Sequence, residues 1–557
     1  MSSSAPTRPT SFADLGGRQL AMALAGIMLG LLFTSLNQTI VGTAMPRIVT
    51  ELGGLEHYAW VTTSYMLAST ASVPIVGKLS DIYGRKWFYV GGIVLFMFAS
   101  VLCGLSQSML QLVLFRALQG IAAGVIMANA FAIIGDLFPP AERGKWQGLM
   151  SAVFGISSVV GPLLGGWLTD GAGWRWVFYV NLPVGVIALA VLLYGLPYIR
   201  PGEEATIDWL GAGCIVAGIV PLLVAFSFGG TDYAWNSPQI IGLLTIAIAG
   251  IVAFLVVERR SSNPIIPLSL FRNRIFSISV MASAIMGAAM FGAILYVPLY
   301  MQGVVGASAT NSGVVLTPMM LSMVTASVIG GQLISRTGRY KWAVILGLLS
   351  MQVGMFLLSR MGVSTSDGEV VRNMIVTGVG LGLVMPTITL AVQNAFPARQ
   401  LGVTTSSLQF FRQIGGTIGI ALMGTFLTSR LSSNVTRDVP AETLAAVPQP
   451  VLDKLDPQAL ANPDAQAELE AALSGVENAP ALLDALLAGM RGVLADGLQE
   501  VFLIAAAVTL IAVAIGFFIP ELELQKGPDR RAGGSTPSGT ATTPSGPDTR
   551  RAQVAND

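Results

Sequence analysis

Residues 77–87 read GKLSDIYGRKW, and residues 331–342 read GQLISRTGRYKW. The two stretches align as Gly77 with Gly331, Asp81 with Ser335, Gly84 with Gly338 and Arg85 with Arg339. Each is a short basic loop between long apolar runs, and each follows the second run of a six-run block. A hydrocarbon core of about 30 Å is crossed by about 20 mostly apolar residues in a helix. A polar loop that recurs between such runs therefore marks a chain that crosses a bilayer many times and consists of two related halves.

Working outward, the composition agrees. Of 557 residues 53% are hydrophobic and 11% charged, where soluble domains carry about 25% charge. The formal net charge of +1 gives no reason to expect a nucleic-acid partner. Cys103 and Cys214 both fall inside apolar stretches and His57 is the one histidine, so neither a disulfide framework nor a metal cluster is available. No nucleophile with a base and no phosphate loop appears, so an enzyme is not expected, and neither is a resident cofactor.

Fourteen runs are long enough to span. They predict an all-α polytopic membrane protein arranged as 6+2+6. Residues 1–18 form an N-terminal tail, 19–200 the first six-helix bundle, 201–262 an inserted helix pair and 263–525 the second bundle. The first run is too long for a signal-peptide core and reads as a retained helix. Within the second bundle, 430–499 reads as an outer loop with short amphipathic helices such as APALLDALLAGM, and 526–557 as a disordered tail rich in Gly, Pro, Ser and Thr. Of the 31 Lys and Arg, 21 fall in tails and loops on one side and four in the short loops of the other. That asymmetry places both termini in the cytoplasm.

The candidate functional residues are the polar ones in apolar surroundings. Gly77 and Gly84 permit a tight turn and close helix approach, and Asp81 and Arg85 can pair across it. Arg116 lies about 9 Å into the fourth run at 1.5 Å per residue. An arginine there costs about 2.5–3.5 kcal/mol, so it faces a cavity, meets a partner or snorkels. Arg412 lies deeper in the thirteenth run with Gln409 one turn before it, either contacting substrate or water or meeting a helix carbonyl. Asn37 and Gln38 sit together in FTSLNQTIVGTAMP (33–46). Gln393 and Asn394 end the twelfth run and read as residues of the membrane–water interface, and His57 as a solvated loop residue. Gly155, Gly161, Pro162, Gly165 and Gly166 lie in the fifth run, where small residues pack helices closely and proline permits a kink. No Asp or Glu sits in the middle of any run; Asp81 and Asp136 lie at inner ends and Glu500 at an outer end.

GKLSDIYGRK resembles the loop signature of the major facilitator superfamily, RALQGIAAG (116–124) its fourth-helix motif and GPLLGG (161–166) its antiporter motif. With LNQTIVGTAMP, WRWVFYVNLPVG (174–185), QNAFP and SLQFFRQIGGTIGIALMG (407–424), the chain resembles the fourteen-helix EmrB/QacA-type drug:proton antiporters over about residues 20–430 and again in the last run. The resemblance implies an alternating-access exporter of hydrophobic or amphipathic small molecules, multidrug efflux by proton antiport, in a cytoplasmic (inner) membrane. Its partners are membrane lipids and its substrates, and its energy source is the proton gradient; the sequence does not give the oligomeric state, for which a monomer is the expectation.

The resemblance also assigns roles. Gly77, Asp81, Gly84, Arg85, Lys86 and Asp136, with Arg336, Gly338 and Arg339 in the second copy, form a cytoplasmic gate. In it Asp81 faces a helix N-terminus of the other half and Arg85 bridges to Asp136. Asn37, Gln38, Arg116, Gln119, Gln409 and Arg412 line the substrate and proton pathway. The family carries an aspartate where this chain has Asn37, and an amide cannot shuttle a proton. Coupling then falls to Asp81 or Asp136, falls to a loop acid, or does not exist, and a chamber with two arginines and no carboxylate suits neutral, amphipathic or anionic cargo. Two further readings stand beside this one: an exporter of lipids or anionic metabolites, and a non-transporting receptor or scaffold with an extracytoplasmic partner at 430–499.

Overall fold

The computed structural model describes residues 15–53, 57–198, 206–230, 233–307, 315–438 and 479–524. Fourteen helical segments run through them. In chain order they are α1 (Gly17–Leu52), α2 (Tyr58–Tyr83), α3 (Arg85–Leu105), α4 (Met109–Leu137), α5 (Pro140–Gly171), α6 (Trp176–Gly195, with a break at Val180) and the pair α7 (Trp209–Phe228) and α8 (Pro238–Arg260). Then come α9 (Arg274–Gly303), α10 (Leu316–Thr337), α11 (Lys341–Leu358), α12 (Asp367–Ala395), α13 (Leu401–Asp438) and α14 (Ala479–Gly516).

Local chemistry sets several starts. Ser108, Asp208, Ser237 and Asn273 each accept a backbone N–H at the first turn of the helix they precede. Ser366 and Glu369 form a reciprocal capping box on α12, which satisfies amides that the helix itself leaves unbonded.

Thirteen of the fourteen are long and apolar enough to cross a bilayer. The exception is α2, whose Thr62, Thr63, Ser64, Ser69, Thr70 and Ser72 make it too polar for a lipid-facing helix. It belongs inside the bundle, and it packs against α4 and α13.

The two halves repeat one packing scheme. α1 lies on α5 and α6, α2 on α4, and α3 on α4 and α6; likewise α9 lies on α13 and α14, α10 on α12, and α11 on α12 and α14. The halves meet through α5 against α10 and α2 against α13, which are corresponding elements of the two copies. α7 and α8 pair with each other, and α7 touches both α2 and α13 along that seam. Trp60 of α2 stacks on Phe228 of α7 at 4.6 Å, and Trp235, after α7, donates to Thr425 of α13 at 3.0 Å. The inserted pair thus touches both halves.

Large apolar side chains remain on the outside. Trp167 is 71% exposed and Tyr194 79%, as expected where lipid takes the place of a protein neighbour.

The last helix begins earlier than its apolar run. Residues 479–499, which read as part of the outer loop, are the first turns of α14. The Ala-Leu pattern broken by Asp484, Arg491 and Asp496 looks like a surface helix. However, Leu486, Met490, Val493, Leu494 and Leu498 form a buried stripe in the core of the second half. α13 likewise continues to Asp438, and Arg430 pairs with Glu500 at 2.8 Å. The remainder of that loop, 439–478, and the tails 1–14 and 525–557 lie outside the described residues.

Candidate functional site

Gly84 has φ +95° and Gly338 φ +71°, the left-handed region that only glycine enters without strain. These turns place both copies of the loop on one face of the bundle, which also carries most of the Lys and Arg and is called the basic face below.

On that face the first copy builds an ion-pair cluster. Arg85 pairs with Asp81 and donates to Asp136 at 2.9 Å and to Ser80 at 2.6 Å. Two carboxylates against one guanidinium leave an excess negative charge. The N-terminus of α13 offsets it, because Asp81 accepts the backbone N–H of Val403 at 2.9 Å where the helix dipole favours an anion. Gly77 packs so closely on Ser406 and Gly402 that a Cβ there would collide. Asp81 therefore ties the first half to the second. Lys86 lies apart from this cluster and donates to the carbonyl of Leu193 at 2.9 Å.

The second copy does something else. Ser335 replaces the aspartate, and Arg336 and Arg339 are exposed and form no ion pair with a described residue. What crosses between the halves here is backbone contact: Gly144 and Gly148 of α5 meet Gly331 and Ser327 of α10 with no room for side chains.

Between these two crossings lies a residue whose role the sequence reading misplaced. Gln393, expected at the membrane–water interface, is 1% exposed and is held by both halves. Its amide donates to the carbonyl of Phe131 and to Thr405, both at 3.2 Å, and accepts from Gln147 at 2.9 Å. Its own carbonyl accepts from Arg143 at 3.1 Å. Asn394 alone remains near the surface, donating to the carbonyl of Glu523 at 3.4 Å. A polar helix end looks interfacial from sequence because its partners, here Gln147 and Arg143, are about 250 residues away in the chain.

In the first half the structure gathers four polar residues into one chain. Arg116 is 1% exposed. It donates to Asn37 at 2.6 Å, to Gln119 at 2.7 Å and to the Val61 carbonyl at 3.2 Å, and lies 4.2 Å over the Tyr65 ring. Gln119 passes its own donor to Ser100 at 2.7 Å. Arg116 neither snorkels nor reaches open space; it is neutralised by dipoles and a ring face. Asn37 is fully buried with its Nδ2 unpartnered. Gln38, next to it, is exposed, and Gly42 one turn on has open space at its Cβ position. The adjacent amides thus have separate roles: Asn37 holds the arginine, and Gln38 faces outward from the half.

In the second half Arg412 is 9% and Gln409 6% exposed, and Arg412 donates to the Gln409 side chain. Neighbouring Gln413 accepts from Thr70 at 2.7 Å, midway along α2, so this group lies midway along the helix bundle.

The glycines of α5 divide by face. Gly161 and Gly165 would collide with Thr39 and Thr43 of α1, and Gly155 with Val324 of α10, whereas nothing lies within 4 Å of a Cβ at Gly166. α5 continues as a helix through Pro162.

Two homologous six-helix halves that meet at one face, with buried polar groups inside each half, define a polytopic transporter rather than an enzyme. Comparison with known proteins specifies which kind. Residues 27–420 match the pattern of the Major Facilitator Superfamily, and the chain belongs to that family. It is 44% identical to the multidrug transporter protein MdtP of Bacillus subtilis (strain 168) over 86% of this chain and 90% of that one. It is 41% identical to multidrug resistance protein 3 of the same organism over 72% and 79%. Among solved structures, the proton:xylose symporter XylE overlaps with a TM-score of 0.58 at 14% identity, covering 90% of this chain and 96% of that one. The human organic anion transporter MFSD10 overlaps with a TM-score of 0.57 at 14% identity, covering 88% and 99%. These two establish the fold.

Proposed function

We propose that this protein is a multidrug exporter of the cytoplasmic membrane that moves hydrophobic or amphipathic compounds outward in exchange for protons. It acts as a monomer without a resident cofactor. The charge asymmetry assigns the basic face to the cytoplasm. The joined basic face then corresponds to the conformer closed on that side, and rocking of the halves exchanges access. The observation that carries this reading is the bond from Asp81 to the N-terminus of α13, together with the names of the relatives at 44% and 41% identity.

Asn37 cannot titrate, and Asp81 is a carboxylate bonded across the halves. A proton on Asp81 weakens its bond to Arg85 and its attraction to the dipole of α13, which frees the basic face to open. Release of that proton on re-closure completes the exchange.

The test uses purified protein in proteoliposomes with an imposed pH gradient and a fluorescent hydrophobic dye. Dye movement driven by the gradient, and lost in Asp81→Asn while dye binding persists, is the expected result. Gradient-independent dye movement would overturn the proton coupling, and no movement of any hydrophobic compound would overturn the exporter reading.

A further inference from the structure

We infer that Arg412 and Gln409 form an anion-binding subsite in the chamber between the halves, and that it takes the carboxylate or sulfonate of an amphipathic substrate. The inference rests on the exporter reading above and names a substrate class for it.

The direction of the two side chains follows from their neighbours. Along α13, Gly402, Ser406 and Gln413 lie against α2, while Gly415 and Gly419 lie against Ala284 and Ala288 of α9. At about 100° per residue, Gln409 and Arg412 fall between these directions, one on each side of the bisector. Phe410 and Ile414 point the opposite way, into the cluster formed with the inserted pair. α2 and α9 belong to different halves, so the two side chains lie in the cleft between the halves, with the stem of Arg412 against Gly287 of α9.

The groups in that angle are donors without acceptors. Arg412 gives one bond to the Gln409 oxygen, and its other N–H groups have no described partner. That bond commits the oxygen of Gln409 and leaves its Nε2 buried and unpartnered. No ion pair reaches Arg412 from a described acid. This is the reverse of Arg116, whose charge is met by Asn37, Gln119, Val61 and Tyr65. A buried guanidinium without a counter-charge is costly, and its planar fork matches a carboxylate or sulfonate bidentately. An acidic amphipath supplies the missing charge, and the Gln409 amide adds a third donor.

The experiment measures binding of three matched probes, pyrenebutyrate, its methyl ester and pyrenebutylamine, to the full chain in phosphatidylcholine nanodiscs. Pyrenebutyrate is expected to bind about tenfold more tightly than the ester, as for a charge-assisted against a neutral contact. Arg412→Gln should bring that ratio to near one, and Arg412→Lys should keep part of it. Gln409→Glu, which places a carboxylate in the site, should abolish the preference for the acid over the ester; it decides the matter if Arg412→Gln does not fold. Loss of the preference in discs containing phosphatidylglycerol would assign the site to lipid headgroups and overturn the substrate proposal. An equal affinity for acid and ester in the wild-type protein, or a preference that survives Arg412→Gln and Gln409→Glu, overturns it while the exporter reading stands. Failure to bind any of the three overturns both.

Discussion

At the scale of the residue, two buried arginines have opposite surroundings. Arg116 sits among neutral acceptors and a ring, and Asn37 supplies the shortest of its bonds, at 2.6 Å. Replacing Asn37 with Leu removes that acceptor and leaves a buried charge short of a partner, a loss of about 1–3 kcal/mol. The thermal midpoint of the purified protein should fall accordingly. Asn37→Asp should raise it, because a carboxylate there meets the guanidinium and the unpartnered Nδ2 disappears. Because Asn37 is fully buried, the same change should leave the pH profile of transport unaltered; a new pH dependence would place Asn37 on the chamber wall after all. The sequence showed an amide at Asn37, where the resemblance implies an acid. It could not show that Asn37 turns inward and Gln38 outward, since adjacent helical residues differ in direction by about 100° and only the neighbours fix the origin.

At the scale of the element, α5 shows how one helix serves two contacts. Its glycines meet α1 at Gly161 and Gly165 and α10 at Gly144, Gly148 and Gly155, so the antiporter-like GPLLGG stretch is a packing surface. Gly165→Leu should destabilise the protein by about 1–3 kcal/mol or more through overpacking, read as a lowered thermal midpoint and reduced yield of monodisperse protein. Gly166→Ala, with nothing within 4 Å, should change neither. Equal effects at the two positions would mean that the helix acts as a hinge whose glycines matter for flexibility. Periodicity alone could find the helix and its small residues. Which small residue touches which neighbour depends on helix rotation, and that is decided by packing. The same reason explains α14: its charged outer turns conceal a buried stripe that becomes recognisable once α11 and α9 lie beside it.

At the scale of the whole molecule, the halves are joined on the basic face by two independent devices, the Asp81 bond to α13 and the four-way bonding of Gln393. Removing either should shift the population toward a basic face that is open. Spin labels at Glu142 and Arg339, exposed positions on opposite halves, in a chain lacking Cys103 and Cys214, read this as a distance. Asp81→Asn and Gln393→Leu should each lengthen the distribution, and the double variant should lengthen it further; unchanged distributions would show that glycine contacts alone hold the face shut. The repeat of the loop, the number of spans and the sidedness of the charge were determined by sequence, because lipid imposes length and apolarity on each crossing helix and basic residues mark one side. Which polar groups meet was decided only by the tertiary structure. Gln393 with Gln147, Arg116 with Asn37, and Arg412 with no described acid are matters of distance between residues far apart in the chain, and hydrogen bonds form only at contact.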